Sequence, residues 1–304
     1  MKRIAVLADV HGNVPALEAV IEDVAHQRPD EVLIAGDLVG RGPCGKEVVR
    51  RIAEQRWRSV RGNHEDYLLA FRHRKVKSRW LAAPEWSAAR WMAAELDAAA
   101  ATFIAGLPLT LRSDLAPELR VVHGTPRSNG EGIGPWTSRQ QVEAHFSEVT
   151  EPVLVCGHTH RPLECRLPTG LVVNVGAVGL PFNRDRRAQY AVFQLSHDEV
   201  AVEFRRVDYD LEQTVRDYET SGFLHHGGAT ARLLLLELER AAPFLVPFIE
   251  WTRAKGIVPL ESEVEAFQKF YDPDESFRAF SKRLSELRNE PQSAPRDPLG
   301  TLSP

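Results

Sequence analysis

Apolar runs that end abruptly in polar residues recur along the first half of the chain. The run KRIAVLADVHG turns polar at Asp9, and the same change occurs in EVLIAGD, RWRSVRGNHE, LRVVHG and PVLVCGH. Such runs are typical of buried parallel strands that end in loops carrying function. Helical patterns lie between them, from Pro15 to about Arg28 and from Lys46 to Gln55. The alternation predicts an open α/β arrangement.

The region between Glu65 and Leu107 is alanine-rich and predicts a helical cap over one side of a cleft. It contains Trp80, Trp86 and Trp91, which we interpret as packing residues rather than as a platform for stacking bases.

The pattern changes to β after His160. The stretch PLECRLPTGLVVNVG predicts a hairpin with its turn at residues 168–170. Two further strands are predicted at residues 190–195 and 199–207. We expect these strands to complete a second sheet.

The chain beyond Tyr209 has a helical character. A helix is predicted over residues 210–220, followed by a loop at HHGGAT and an apolar helical stretch broken at Pro243 and Pro247. Another helix is predicted from about Asp274 to Asn289. The apolar stretch requires a cover, either by folding back on the rest of the chain or by forming a homodimer interface.

These changes of pattern predict three segments. Residues 1–222 form a catalytic domain that includes the cap at 65–107, and residues 223–289 form a helical C-terminal extension. The tail, residues 290–304, is polar and proline-rich and is predicted to be disordered.

Seven potential metal ligands follow the five apolar runs. They are Asp9, His11, Asp37, Asn63, His123, His158 and His160. In extended backbone, side chains two residues apart point the same way, so each of the pairs 9/11 and 158/160 is expected to hold one ion together. The carboxyl ends of strands in an open α/β sheet line one crevice, where all five blocks can meet. Two such pairs suggest more than one metal ion.

The blocks D-x-H, G-D, G-N-H-E, H and G-H-x-H resemble, in this order, the calcineurin-like metallophosphoesterases. The resemblance covers roughly residues 1–210 and is closest to the small bacterial and archaeal phosphodiesterases of that family. It implies a two-sheet β-sandwich flanked by helices, here with the C-terminal helical extension. It also implies metal-dependent hydrolysis of phosphoric esters through attack by a metal-activated hydroxide.

The same resemblance implies a role for each ligand. One divalent ion would be held by Asp9, His11, Asp37 and His160. The Asp37 carboxylate would bridge to a second ion, held by Asn63, His123 and His158. His64 would stay unligated and protonate the leaving oxygen. The mixed ligands favour transition metals, with manganese preferred and iron, zinc, cobalt or nickel as alternatives.

The block GDLVGRGP resembles the G-D-x-V-D-R-G block of serine/threonine phosphatases and dinucleoside tetraphosphatases. That likeness implies that Arg41 contacts substrate phosphate. Asn63 is the second residue expected to bind substrate. The chain has Gly40 where those phosphatases have an aspartate that supports the histidine of G-N-H-E, which disfavours a protein phosphatase. Glu65 has two interpretations: it orients His64, or it caps the following helix.

Composition narrows the function further. The chain has 304 residues with 43% hydrophobic and 26% charged side chains, and its formal net charge of -4 gives no general attraction for nucleic acid or membrane. Three cysteines without a framework pattern favour a reducing compartment. We therefore expect a cytoplasmic enzyme that acts on small phosphorylated substrates, with long nucleic acid disfavoured and no membrane partner.

Phosphodiesters are the favoured substrates, and phosphomonoesters or dinucleoside polyphosphates are the alternative. A metal-free protein-binding scaffold of the same fold is the alternative from another class.

Overall fold

Two five-stranded sheets form the centre of the computed structural model, which describes residues 1–196 and 199–289. The strands, in chain order, are β1 (Lys2–Leu7), β2 (Glu31–Ile34), β3 (Arg58–Ser59), β4 (Thr110–Arg112), β5 (Leu119–Val122), β6 (Val153–Cys156), β7 (Leu163–Leu167), β8 (Gly170–Asn174), β9 (Ala188–Leu195) and β10 (Val200–Val207). The predicted disordered tail lies outside the described residues.

Helices cover the sheets and form most of the C-terminal region. In chain order they are α1 (Val14–Gln27), α2 (Gly45–Gln55), α3 (Asn63–Arg72), α4 (Ser87–Glu95), α5 (Ala98–Ala105), α6 (Arg139–Phe146), α7 (Leu211–Thr220), α8 (Phe223–Arg240), α9 (Leu245–Lys255), α10 (Val264–Phe270) and α11 (Phe277–Asn289). Within the described residues, no helix combines the length and the apolar character that crossing a membrane requires.

Both sheets are mixed, and each contains three neighbouring parallel strands. The first has the order β10-β9-β1-β2-β3, in which β1, β2 and β3 are parallel and β9 and β10 are antiparallel. The second has the order β4-β5-β6-β8-β7, in which β5, β6 and β8 are parallel. The functional blocks predicted from the sequence therefore follow parallel strands of two sheets.

Side chains of β1 show why the sequences of these strands are continuously apolar. Val6 lies in a buried cluster between the two sheets, together with Val121 and Val155. Its neighbour Leu7 lies in the cluster on the opposite face, against Leu17 of α1. Alternate residues of a strand point to opposite faces, so a strand covered on both faces is apolar throughout.

The predicted two-sheet sandwich flanked by helices, with a C-terminal helical region, is confirmed. One detail was wrong: β9 and β10 do not join the second sheet. They extend the first sheet, with Ile4 of β1 opposite Phe193 of β9. Only the hairpin of β7 and β8 belongs to the second sheet, so the chain returns to β1 after building that sheet.

The region 65–107 is helical, as predicted. Trp80 and Trp86 stack with ring centroids 4.4 Å apart, and Trp91 lies 5.1 Å from the ring of Phe223. All three tryptophans pack against the buried cluster that includes α1, so they pack as interpreted from the sequence.

Two predictions for the C-terminal region were wrong. The HHGGAT stretch is part of α8, which kinks at Gly228 (φ 53°, ψ −138°) instead of forming a loop. Pro247 does not break the chain either, because it lies in the first turn of α9, where a helix does not require the proline N–H. The break near Pro243 does occur, between α8 and α9.

The apolar C-terminal stretch folds back on the rest of the chain. Leu234 and Leu238 of α8 join the cluster of α1 and the first sheet, and Leu233 joins a second cluster with Phe248 and Phe267. Of the two possibilities considered from the sequence, folding back on the rest of the chain is therefore the one that the structure shows. A homodimer interface and the boundary at residue 222 stay predictions.

Candidate metal centre

The structure brings together all seven candidate ligands at the carboxyl ends of strands from both sheets. Asp9 and His11 follow β1, Asp37 follows β2, and Asn63 is the first residue of α3, shortly after β3. From the second sheet, His123 follows β5, and His158 and His160 follow β6.

The donor atoms of the seven candidate ligands form two groups joined by Asp37, and a third set, of His11, Asp37 and His64, lies between them. In one group, atoms of Asp9, His11 and His160 all lie within 4.8 Å of one another, and in the other so do atoms of Asp37, His123 and His158. Asp37 Oδ2 lies 3.7 Å from His11 Nε2 and 3.2 Å from His123 Nε2. One carboxylate oxygen thus faces both groups.

Asn63 belongs with the second group. Its Oδ1 lies 2.9 Å from His123 Nε2 and 3.0 Å from His158 Nδ1. The expectation that His158 and His160 point the same way was therefore wrong, because the two imidazoles lie in different groups.

The backbone explains this difference. Five of the candidate ligand residues have left-handed φ values: 55° at Asp9, 51° at His11, 54° at Asp37, 68° at His158 and 58° at His160. Left-handed backbone is unfavourable for residues other than glycine, and it breaks the alternation of side chains that extended strands show. Asp9 and His11 do share a group, but the extended geometry assumed from the sequence is not the reason.

The hydrogen bonds of two histidines leave their lone pairs facing each other. The Nδ1–H of His11 donates to the Val39 carbonyl at 3.2 Å, and that of His160 donates to the Leu180 carbonyl at 2.6 Å. In neutral imidazoles with these Nδ1–H donors both Nε2 atoms are acceptors, yet they lie only 3.0 Å apart. Among the residues that the structure describes, the buried Asp9 Oδ1 has no hydrogen-bond partner, and it lies 3.3 Å from His160 Nε2. This donor set fits a cation.

The second group also combines imidazole nitrogens with oxygens. The Nδ1–H of His123 donates to the Ala35 carbonyl at 2.6 Å, so its Nε2 faces the oxygens of Asn63 and Asp37. Burial lowers the pKa of His123, but the Asp37 carboxylate outweighs burial and raises that pKa to about 10. Burial and the charge of His123 lower the pKa of His158 to about 4. Two oxygens and two imidazole nitrogens thus also fit a cation.

Comparison with known proteins agrees with this geometry. The family model described as the calcineurin-like phosphoesterase superfamily domain matches residues 1–198. The chain belongs to the calcineurin-like phosphoesterase superfamily. Membership indicates a hydrolase of phosphoric esters, and the grouped Asp and His side chains indicate binding of divalent metal ions.

Several known proteins are similar to most of the chain. A metallophosphoesterase from Sphaerobacter thermophilus is 28% identical and superposes with a TM-score of 0.64 over 79% of this chain and 99% of its own. The hypothetical protein PH1004 from Pyrococcus horikoshii OT3 is 20% identical, with a TM-score of 0.65 over 80% of this chain and 100% of its own. Protein MJ0912 of Methanocaldococcus jannaschii is 24% identical over 225 residues, 69% of this chain and 89% of its own.

Glu65 organises the ligand loops of this calcineurin-like phosphoesterase. Its Oε1 accepts the N–H groups of Leu38 and Val39, and its Oε2 accepts those of Asp37 and Gly62. The side chain is fully buried. Burial and the Asp37 carboxylate raise the pKa of Glu65 to about 7, and the N–H donors oppose that rise. Of the two interpretations left open by the sequence, the contacts support the helix cap, extended to the loop after β2.

His64 lies beside both groups. Its backbone N–H donates to Asp37 Oδ1 at 2.9 Å, and its ring centroid lies 5.0 Å from that of His11. Burial lowers the pKa of His64 to about 3. The positive charge of Arg41 acts in the same direction, and the Asp37 carboxylate opposes both effects. The imidazole is therefore neutral in the free protein at neutral pH.

Gly40 creates the space for His64. It has a φ of 85°, and a Cβ atom at this position would lie 2.4 Å from His64 Nδ1. The aspartate that serine/threonine phosphatases carry at the equivalent place would not fit this packing. The glycine that replaces this aspartate at position 40 is therefore required by the packing of His64.

Arg41, which directly follows Gly40, contacts His64. Its Nε–H donates to His64 Nε2 at 3.3 Å, and its Nη1 donates to Glu237 Oε2 at 2.7 Å. Glu237 is a residue that the sequence did not identify. It lies on α8 in a strongly apolar stretch without a motif, and only the fold brings it to Arg41.

Proposed function

We propose that this protein is a dinuclear metal-dependent phosphoesterase that hydrolyses phosphodiester bonds of small substrates. The observation that supports it best is the convergence of nitrogen and oxygen donor atoms in two groups that share the Asp37 carboxylate. Two divalent ions would activate water and neutralise the charge of a phosphoryl group in such a site.

The residues would divide as the family resemblance implies. Asp9, His11 and His160 would hold one ion, and Asp37 would contribute to both. The second ion would be held by Asn63, His123 and His158. Manganese is our first choice, with iron, zinc, cobalt and nickel as alternatives, because nitrogen and oxygen ligands accept all of them. A cytoplasmic location fits the reduced cysteines.

His64 would act as the proton donor to the leaving oxygen. Its lowered pKa means that it must gain the proton when the anionic substrate binds, because negative charge nearby raises the pKa of an imidazole. Arg41 would bind the substrate phosphate through its free N–H groups, with Asn63 as the second substrate contact.

Metal-stripped protein should hydrolyse bis-p-nitrophenyl phosphate only after manganese is added. We expect the diester to be hydrolysed with a higher kcat/KM than the monoester p-nitrophenyl phosphate, measured by nitrophenolate absorbance. A preference for the monoester would point to a phosphatase. If the protein binds no stoichiometric metal and turns over neither ester, the protein-binding scaffold would be favoured.

Gly40→Ala should lower kcat for the diester by roughly 10²-fold, the contribution typical of a positioned proton donor. The new Cβ would lie 2.4 Å from His64 Nδ1 and displace that imidazole. Gly228→Ala is a matched control, because Gly228 also has a positive φ (53°) but a Cβ atom added there would meet no atom within 4 Å. An unchanged kcat in Gly40→Ala would exclude His64 as the proton donor.

A further inference from the structure

We infer that Glu237, in the C-terminal helical region, is a positioning residue of the phosphate site that fixes the guanidinium of Arg41 beside the metal centre. This inference rests on the proposed function. It assigns to α8 a part of the active site that lies outside residues 1–198, the segment matched by the family model.

The Glu237 carboxylate is itself held rigidly. One oxygen, Oε1, accepts the N–H groups of Phe244 and Leu245 at 2.8 and 2.9 Å, at the start of α9. The other oxygen accepts Arg41 Nη1 at 2.7 Å. The side chain is only 1% exposed, so water does not compete for it. A buried carboxylate with three such partners holds one orientation.

Arg41 keeps donors for a ligand while it is held. An arginine has five N–H groups. One Arg41 N–H donates to Glu237 and one to His64, which leaves three. The guanidinium also lies 5.7 Å from the ring centroid of Phe182, which stacks on the metal-centre residue His160. The free N–H groups are thus available for a phosphate oxygen beside the two ligand groups.

Contacts from α7, the helix before α8, brace the same loops. The Tyr218 hydroxyl donates to the backbone carbonyl of Arg41 at 2.9 Å. The Thr214 hydroxyl donates to Asn13 Oδ1 at 3.0 Å, two residues after His11. The ion pair of Glu237 is therefore one of several contacts through which α7 and α8 hold residues near the site.

The opposite role for Glu237 would be competition, in which its carboxylate keeps Arg41 away from the substrate. The two roles predict opposite signs when the charge is removed. Positioning predicts weaker binding of phosphate, and competition predicts tighter binding.

The test is the affinity of manganese-loaded protein for inorganic phosphate, measured by isothermal titration calorimetry, together with kcat and KM for the diester. Glu237→Gln keeps the shape and an acceptor for the two backbone N–H groups. We expect it to weaken phosphate binding about tenfold and to raise KM more than it lowers kcat. The manganese content should stay that of the wild type. Glu239→Gln is the control, because Glu239 is exposed on the same helix.

A double variant separates positioning from a general structural effect. If Glu237 acts through Arg41, Arg41→Gln/Glu237→Gln should bind phosphate as weakly as Arg41→Gln alone. Should Glu237→Gln fail to fold, Glu237→Asp retains the charge but shortens the reach, and we expect the same weaker binding from it.

Phosphate binding by Glu237→Gln at or above the wild-type affinity would overturn the inference and leave the proposed function intact. A further loss in the double variant would overturn it as well. Wild-type protein that neither hydrolyses the diester nor binds phosphate would overturn both.

Discussion

Asp37→Asn should abolish metal-dependent hydrolysis of the diester without unfolding the protein. One oxygen of Asp37 faces both groups of donor atoms, at 3.7 Å from His11 Nε2 and 3.2 Å from His123 Nε2. A neutral amide cannot supply the shared negative charge, so we expect kcat to fall by roughly 10³-fold or more, which corresponds to about 4 kcal/mol of transition-state stabilisation. The amide oxygen can still accept the His64 N–H that Asp37 Oδ1 accepts now.

Three measurements check this expectation: turnover of bis-p-nitrophenyl phosphate, metal content by mass spectrometry and the urea midpoint of unfolding. Asp208→Asn is a matched control, because Asp208 is exposed between β10 and α7. Full turnover by Asp37→Asn would show that the Asp37 carboxylate is not a shared ligand.

Glu65→Gln should lower the free energy of unfolding by about 3 kcal/mol. The Glu65 carboxylate accepts four backbone N–H groups, and hydrogen bonds to a buried charge are worth roughly 1.5–3 kcal/mol each. Glutamine retains one acceptor oxygen but turns an NH₂ group toward two N–H donors. The loop after β2, which contains Asp37, would become less ordered.

Urea unfolding at pH 8 is the strictest test, because the Glu65 carboxyl group is ionised there and its raised pKa means that ionisation itself lowers the stability of the folded protein. The control is Glu219→Gln, a substitution of an exposed glutamate on α7, which should shift the midpoint little. An equal midpoint for Glu65→Gln and the wild type would mean that the four N–H groups do not depend on the charge of Glu65. The activity of Glu65→Gln should fall as well, because three of these N–H groups belong to Asp37 and the two residues after it.

The part of the site that could be predicted from the sequence is the part carried by local patterns. Each candidate ligand follows a short apolar run, and parallel strands bring their carboxyl ends together. The order of the blocks then identifies the family. Arg41 was found for the same reason, because its motif is contiguous with that of Asp37.

The features that the sequence did not reveal depend on distant partners. Strands β9 and β10 were assigned to the wrong sheet because alternation predicts a strand but not its neighbour. Glu237 contacts Arg41 across 196 positions of the chain, and nothing near it resembles a site. Pro247 was mistaken for a break because its effect depends on whether it starts or interrupts a helix.

The left-handed backbone at Asp9, His11, Asp37, His158 and His160 sets stability against activity at the same positions. A chain selected for folding alone would gain from glycine there, since glycine adopts this conformation without steric cost. Glycine, however, has no side chain to offer a cation. The most stable version of these loops would therefore be an inert one, and improving the thermal stability of this protein should begin elsewhere in the fold.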